Sequence, residues 1–102
     1  MNKSKEFLNP EYKNAVIKAL EYHFPHAKII LFGSRATGTN KPGADIDIAV
    51  DISRPLKLRE LSRIKATLEN LPIPLEVDLV DFYDAPEELK NAIKNEGIIW
   101  KN

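Results

Sequence analysis

The segment "DIDIAVDI", from Asp45 to Ile52, alternates strictly between two sides. One side carries Asp45, Asp47, Ala49 and Asp51, and the other carries Ile46, Ile48, Val50 and Ile52. Successive side chains of a β-strand point to opposite faces of a sheet, so this period predicts a half-buried strand. The apolar side of such a strand needs cover from other elements, and helices are the cover that the rest of the chain offers.

Turn and cap residues predict the elements that precede this strand. Asn9 is a helix N-cap with Pro10 at the first helical position, and Pro25 should end that helix near Phe24. The apolar run Lys28–Phe32 then predicts a strand buried on both faces. A loop over residues 33–44 follows.

The second half of the chain predicts two more helices and a third strand. Pro55 ends the alternating strand, and the stripe of a second helix follows at Leu58, Leu61, Ile64, Leu68 and Leu71. "PIPLEVDLVD" predicts a strand with Leu75, Val77 and Leu79 on one face and Glu76 and Asp78 on the other. Asp84 and Glu87 resemble a capping box that opens a last helix reaching about Asn95. A final edge strand is expected at Ile98 to Trp100, which completes an α/β (α+β) fold.

Size and composition limit the classes of protein that fit. The chain has 102 residues, 43% of them hydrophobic, which predicts a single domain over 1–102. Fifteen basic residues balance fifteen acidic ones, so no overall field draws the chain to nucleic acid or to a membrane. Cysteine is absent, and no export signal or long apolar run is present. These features predict a cytoplasmic protein without disulfides.

The acidic side of the alternating strand is a candidate cation site. Asp45 and Asp47 lie two residues apart, so their carboxylates point the same way about 6–7 Å apart. A solvated outer face explains one such pair, but aspartate is a poor strand former, and Asp78 falls at the matching phase of the third strand. Three carboxylates on adjoining strands suit Mg²⁺ or Mn²⁺. Asp51 and Asp81 lie at strand ends, where turn chemistry accounts for them.

The loop "GSRATG" is a candidate phosphate site. Its Gly33 to Gly38 spacing matches the opening of a P-loop, but the Lys and Ser or Thr that a P-loop requires do not follow. Gly33 still lets the backbone approach a phosphate closely, and Ser34 adds a hydroxyl donor. A plain turn after a strand is the alternative for this loop taken alone.

These motifs together resemble the polymerase-beta-like nucleotidyltransferase superfamily. The resemblance rests on Gly33-Ser34, ten intervening residues, Asp45-Ile46-Asp47, and a later strand carrying Asp78. "LFGSRATG", "ADIDIAV", "EVDLVD" and "EGIIW" make the chain similar to the minimal nucleotidyltransferases of bacteria and archaea over nearly its whole length. Two departures concern substrate positioning: Ala44 stands where many relatives have Ser, and Thr37 where a basic residue is frequent.

The resemblance implies a fold, a site and a reaction. The fold would be a small mixed β-sheet with helices packed on one face and an open acidic face. Asp45 and Asp47 would hold two Mg²⁺ ions, and Asp78 would join one of them and help to deprotonate the attacking hydroxyl. Gly33 and Ser34 would hold the outer phosphates of ATP, with Arg35 placed to neutralise the triphosphate. The reaction would be AMP transfer from ATP to a hydroxyl with release of pyrophosphate.

The resemblance also implies a partner, because a chain of this size has no second domain for the acceptor. Minimal nucleotidyltransferases commonly pair with a small helical protein, a HEPN-type toxin or a substrate-binding subunit. The leading hypothesis is therefore an antitoxin that moves AMP onto a tyrosine of such a toxin. The alternatives are an antitoxin that acts by contact alone, a nucleic-acid-modifying transferase, and a glycosyltransferase that uses "DID" as a metal motif.

One local basic cluster, comprising Arg54, Lys57, Arg59, Arg63 and Lys65, stands out in a neutral chain. A solvated helix face is favoured over contact with nucleic acid or an acidic partner. No aromatic residues interleave with the cluster, which argues against stacking on single-stranded nucleic acid. His23, His26 and Trp100 fit helix-end or packing roles. The residues leave open the acceptor, the preferred nucleotide and any self-association.

Overall fold

A computed structural model describes residues 8–102 of the chain. Within this range helices and strands alternate throughout. In chain order they are α1 (Pro10–His23), β1 (Lys28–Phe32), α2 (Ser34–Thr37), β2 (Ile46–Asp51), α3 (Leu58–Glu69), β3 (Val77–Asp81), α4 (Glu87–Glu96) and β4 (Ile98–Lys101). The predicted strand at Asp45 begins one residue later, where Ile46 first pairs with Val77. The short helix α2 was not predicted, and it lies within the segment expected to be a loop.

The four strands form one mixed sheet in the order β3-β2-β1-β4. Strand β1 pairs antiparallel with both β2 and β4, while β2 pairs parallel with β3. A parallel pair needs a crossover connection, and α3 supplies it between β2 and β3. The predicted mixed sheet with helices is confirmed.

One face of the sheet carries the main hydrophobic core beneath α1 and α3. The isoleucine side of β2 supplies three of its members, Ile46, Ile48 and Val50, all fully buried. Helix α1 adds Val16 and Leu20, and α3 adds Ile64 and Leu68. Burying a side chain of this size stabilises a fold by roughly 1.5–3 kcal/mol. The period of the alternating segment therefore sets which face of the sheet becomes the core.

Helix α4 packs on the opposite face, so the prediction that helices cover one face holds for α1 and α3 but not for α4. Its Ile93 is buried against Ile30 and Ala49 in a second, smaller cluster. Ala49 lies on the same side of β2 as the aspartates, because it alternates with them. The acidic side is consequently divided at Ala49, with Asp47 before it and Asp51 after it.

Both ends of α1 and the end of α4 at Gly97 follow their local signals, whereas the start of α4 does not. The Asn9 side chain accepts the backbone N–H of Glu11 at 2.8 Å, and α1 ends at His23 as expected from Pro25. Helix α4 has Pro86 at its N-cap without a side-chain hydrogen bond, so the predicted capping box of Asp84 is wrong. Within residues 8–102 no helix is long and apolar enough to cross a membrane.

Candidate active site

The pairing of β2 with β3 brings two of the predicted carboxylates together. Asp47 and Asp78 are direct partners in the parallel register, on strands that lie about 4.8 Å apart. Both side chains therefore project from the same face. Asp78 is exposed and Asp47 is half-buried. Asp45 is exposed and lies one residue before β2, at the same end of the strand.

The three carboxylates interact electrostatically. Burial raises the pKa of the Asp47 carboxyl, and the negative charges of Asp78 and then Asp45 raise it further. A half-buried carboxylate that faces like charges is destabilising unless a cation or a proton offsets its charge. This arrangement favours binding of a positively charged group at the end of β2.

Gly33 connects the predicted phosphate half of the site with the carboxylates. Its φ of 77° lies in the left-handed region that favours glycine. A methyl group at this position would collide with the Asp47 carboxylate. The backbone after β1 therefore lies directly against Asp47, and only glycine permits this approach.

A one-turn helix, α2, follows Gly33 in place of the predicted loop. Gly38 closes it with φ 81°, and its N–H donates to the Ser34 carbonyl at 2.8 Å. Thr39 N–H donates to the same oxygen at 3.0 Å. The two glycines flanking four residues were the signal for this turn, since glycine is the usual residue after a helix end.

Arg35, the third residue predicted to contact the triphosphate, lies in α2 and is buried. It is only 7% exposed, and its Nε–H donates to the Ala44 carbonyl at 3.0 Å. Ala44 immediately precedes Asp45 in the chain. Contact between Arg35 and a nucleotide stays a prediction, and its position gives it a second role that is developed below.

Asp51 and Asp81 have the turn roles predicted for them. Asp51 accepts the backbone N–H of Ser53 at 2.8 Å, next to a positive φ at Ser53. Asp81 accepts the N–H of Leu56 at 2.9 Å and that of Tyr83 at 3.1 Å. Both carboxylates therefore hold backbone in place.

The donor set at Asp45, Asp47 and Asp78 fits a divalent cation in type. Carboxylate oxygens are the ligands that Mg²⁺ and Mn²⁺ prefer. The pKa of Asp47 is raised first by burial and then by repulsion from Asp78 and Asp45, and a bound cation would offset that repulsion. Among residues 8–102, however, no three His, Cys, Asp or Glu side chains are gathered closely enough to hold an ion as they stand. The strands bring the three carboxylates to the same end of the sheet, but the side chains would have to rotate to bind one shared ion.

The basic cluster, which begins before α3 and continues along it, follows β2 at the end opposite to these carboxylates. Arg54 forms a bidentate pair with Glu60, with N–O distances of 2.9 and 2.8 Å. Hydrogen bonds from Arg54 and from the Lys57 backbone lower the pKa of Glu60 to about 2. The other members of the cluster, Lys57, Arg59, Arg63 and Lys65, are exposed. Arg54 thus has a structural role at the start of α3.

The fold and the motifs identify the class of protein. Residues 14–101 match the model of the family described as Polymerase beta, Nucleotidyltransferase. The chain therefore belongs to this nucleotidyltransferase family, which confirms the resemblance seen in the sequence. Enzymes of the family generally use divalent metal ions.

Particular relatives are protein adenylyltransferases by name. The chain is 28% identical over 86 residues to the probable protein adenylyltransferase MntA of Haemophilus influenzae, which covers 83% of this chain and 75% of that protein. It is 33% identical over 88 residues to a Methanocaldococcus jannaschii protein that also carries a protein adenylyltransferase name, with 86% and 92% covered.

Solved structures with the same fold include toxin–antitoxin complexes. One, a toxin–antitoxin with AMP-PNP, superposes with a TM-score of 0.75 at 32% identity over 88% of this chain and 73% of that one. Another contains a tri-AMPylated Shewanella oneidensis HEPN toxin in complex with an MNT antitoxin. It superposes with a TM-score of 0.65 at 27% identity over 93% and 74% of the two chains.

Proposed function

We propose that this chain transfers AMP from ATP to a hydroxyl group of a small helical HEPN-type partner and thereby acts as an antitoxin in the cytoplasm. The observation that carries the proposal is the register of Asp47 with Asp78 directly beside the Gly33 backbone. This geometry puts carboxylates for a metal-bound triphosphate next to a turn that can approach phosphate. The names of the relatives and the AMPylated toxin of one structural neighbour support the same acceptor class.

The residues take distinct roles in this proposal. Gly33 and Ser34 bind the outer phosphates through backbone and hydroxyl donors. Asp45, Asp47 and Asp78 would hold two Mg²⁺ ions, or Mn²⁺ in their place. When bound, these ions would neutralise the triphosphate and stabilise charge on the entering and leaving oxygens.

The chemistry is a single in-line displacement. The acceptor oxygen forms a bond to the α-phosphorus of ATP, and the bond between that phosphorus and the bridging oxygen breaks. Pyrophosphate leaves with the bridging oxygen, and the hydroxyl proton passes to the exposed Asp78 carboxylate. Positioning and charge neutralisation supply most of the rate enhancement, so few residues suffice.

Labelled ATP tests this function directly. The protein, a candidate helical partner and Mg²⁺ are incubated with ATP labelled at either the α or the γ phosphate. We expect α label to appear on the partner and γ label to be released as pyrophosphate. Transfer of γ label to the partner would show a kinase reaction instead, and label on added RNA would favour the nucleic-acid-modifying alternative.

A second candidate is an antitoxin that acts by contact alone. It is supported by the structural neighbours that are toxin–antitoxin complexes. If contact alone neutralises the toxin, the Asp47→Asn variant should still inhibit the toxin. Neither the wild type nor the variant should then transfer label from ATP to the partner. Loss of inhibition together with loss of label in that variant would exclude this candidate.

A further inference from the structure

Arg35 is a buried cation at the junction between the two halves of the site. Its side chain belongs to a residue type that is almost never fully buried unless it is paired, yet only 7% of the residue is exposed. Burying a guanidinium costs free energy unless its N–H groups are hydrogen-bonded. The Nε–H donates to the Ala44 carbonyl at 3.0 Å, which offsets part of this cost.

This hydrogen bond joins the ends of the loop between α2 and β2. Arg35 directly follows Ser34, and Ala44 directly precedes Asp45. Between them, Lys41, Pro42 and Gly43 are exposed and Gly43 has no heavy atom within reach of an added Cβ. Within the loop the Ala44 N–H donates to the Lys41 carbonyl at 3.1 Å, a local turn that does not reach back to α2.

The connection continues from Asp45 into the sheet. The backbone N–H of Ile46 donates to the Glu76 carbonyl at 2.8 Å, which ties the start of β2 to the residue before β3. The hydrogen bond from Arg35 to Ala44 thus connects α2 to β2 and β3, the strands that carry Asp47 and Asp78. A displacement of Ala44 would move Asp45 relative to Ser34 and leave the Asp47 pairing in place.

We infer that Arg35 is a positioning residue, which sets the place of Asp45 relative to the phosphate-binding turn at Ser34 through its bond to Ala44. The inference rests on the proposed function for its consequence in catalysis, although the bond itself is independent of it. Arginine suits this role because its planar fork carries an Nε–H, whereas lysine offers one terminal ammonium. A misplacement of about 1 Å in such a site can cost on the order of 100-fold in rate.

The substitution Arg35→Lys separates positioning from simple charge. It keeps a positive charge near the triphosphate but removes the Nε–H donor to Ala44. We expect kcat for AMP transfer to fall about 10- to 100-fold, while KM for ATP changes by less than about 3-fold. A rise in KM with unchanged kcat would overturn the inference and assign Arg35 to direct phosphate binding.

Arg54→Lys is the matched control. Arg54 also donates to a backbone carbonyl, that of Pro55 at 3.0 Å, but it is exposed and lies after the far end of β2. The same chemical change there should leave kcat unaltered. An equal loss of kcat in both variants would contradict a local positioning role.

A structural readout keeps the inference testable without turnover. In NMR spectra of the wild-type protein, the Arg35 Nε–H should exchange slowly with solvent, and in Arg35→Lys the Ala44 and Asp45 amide signals should shift more than that of Ser53. Rapid exchange in the wild type, or unshifted signals in a folded variant, would overturn the inference. If Arg35→Lys fails to fold, the wild-type exchange rate decides. If the wild type transfers no label at all, the proposed function fails while these spectra still test the bond.

Discussion

The two ends of the β2–β3 pair carry the same residue type in opposite settings. At one end, Asp47 lies opposite Asp78, and among the described residues neither carboxylate accepts a hydrogen bond. At the other end, Asp51 accepts the backbone N–H of Ser53, and Asp81 accepts those of Leu56 and Tyr83. Carboxylates bonded to backbone stabilise a fold, whereas carboxylates that only face one another destabilise it. The difference separates aspartates that support the fold from those available for chemistry.

The largest expected effect is on AMP transfer, at the end of the β2–β3 pair that carries Asp47 and Asp78. Asp47→Asn removes a negative charge and a ligand oxygen from the centre of the site, so AMP transfer should fall by at least about 100-fold. The assay is transfer of α label from ATP in the presence of Mg²⁺ and the partner. Asp51→Asn, on the same side of the same strand, should retain transfer. If Asp47→Asn also retained it, the assignment of the metal site would be wrong.

The next effect concerns Gly33, which brings the turn against Asp47. Gly33→Ala introduces a methyl group that collides with the Asp47 carboxylate at a positive φ, so we expect transfer to fall about 10- to 100-fold. The unfolding free energy should fall by about 1–3 kcal/mol, measured by urea denaturation. Gly43→Ala is the control, since its φ is also positive at 81° but an added Cβ meets nothing within 4 Å. Equal losses in the two variants would indicate backbone strain alone.

A smaller effect, on stability alone, is expected at the end of the β2–β3 pair that carries Asp51 and Asp81. Asp81→Ala leaves the Leu56 and Tyr83 N–H groups without their acceptor, which should lower the unfolding free energy by about 1–3 kcal/mol. Transfer per folded molecule should stay close to that of the wild type. Denaturant melts combined with transfer rates below the transition measure both quantities. A large loss of transfer in folded Asp81→Ala would break the contrast between the two ends.

The smallest effect is a pH dependence of stability. The pKa of Asp47 is raised above its ordinary 3.8, so the folded state keeps this proton to higher pH than the unfolded chain does. The associated stability is complete below 3.8 and is lost as pH rises through the raised pKa. Asp47→Asn should therefore melt at a higher temperature than the wild type near neutral pH without metal. The difference between the two melting temperatures should become smaller in acid. A variant less stable than the wild type at neutral pH would contradict a pKa of Asp47 that burial and neighbouring charges raise in the folded state.

Much of the candidate site could be predicted because it depends on the alternation of side chains along single strands. The alternation around Asp47 and Asp78 predicted one shared face, and the register now places the two residues as partners. The turn roles of Asp51 and Asp81 were also predicted from their positions at strand ends. The roles of Asp45, Asp47 and Asp78 in binding metal, and of Gly33 and Ser34 in binding phosphate, stay predictions.

Other features could not be predicted because they depend on contacts between distant parts of the chain. Nothing local to Arg35 indicates its burial or its hydrogen bond to the Ala44 carbonyl nine residues further along the chain. The placement of α4 depends on the packing of Ile93 against Ile30 and Ala49. It also depends on the close approach of Gly97 to the sheet, since a Cβ added there would lie 2.6 Å from Ile30 Cγ2. The apolar stripe of a helix shows that it must be covered, not which face of a sheet covers it.

The sequence by itself determined the two-sided strand, the residue types of the candidate site and the family, because each follows from spacing along the chain. Only the tertiary structure decided that Gly33 lies against Asp47, that Arg35 joins α2 to Ala44, and that α4 divides the acidic side at Ala49. The physical reason is that a side chain's direction is set by its own strand or helix. Its neighbours are set by register and packing across the whole sheet.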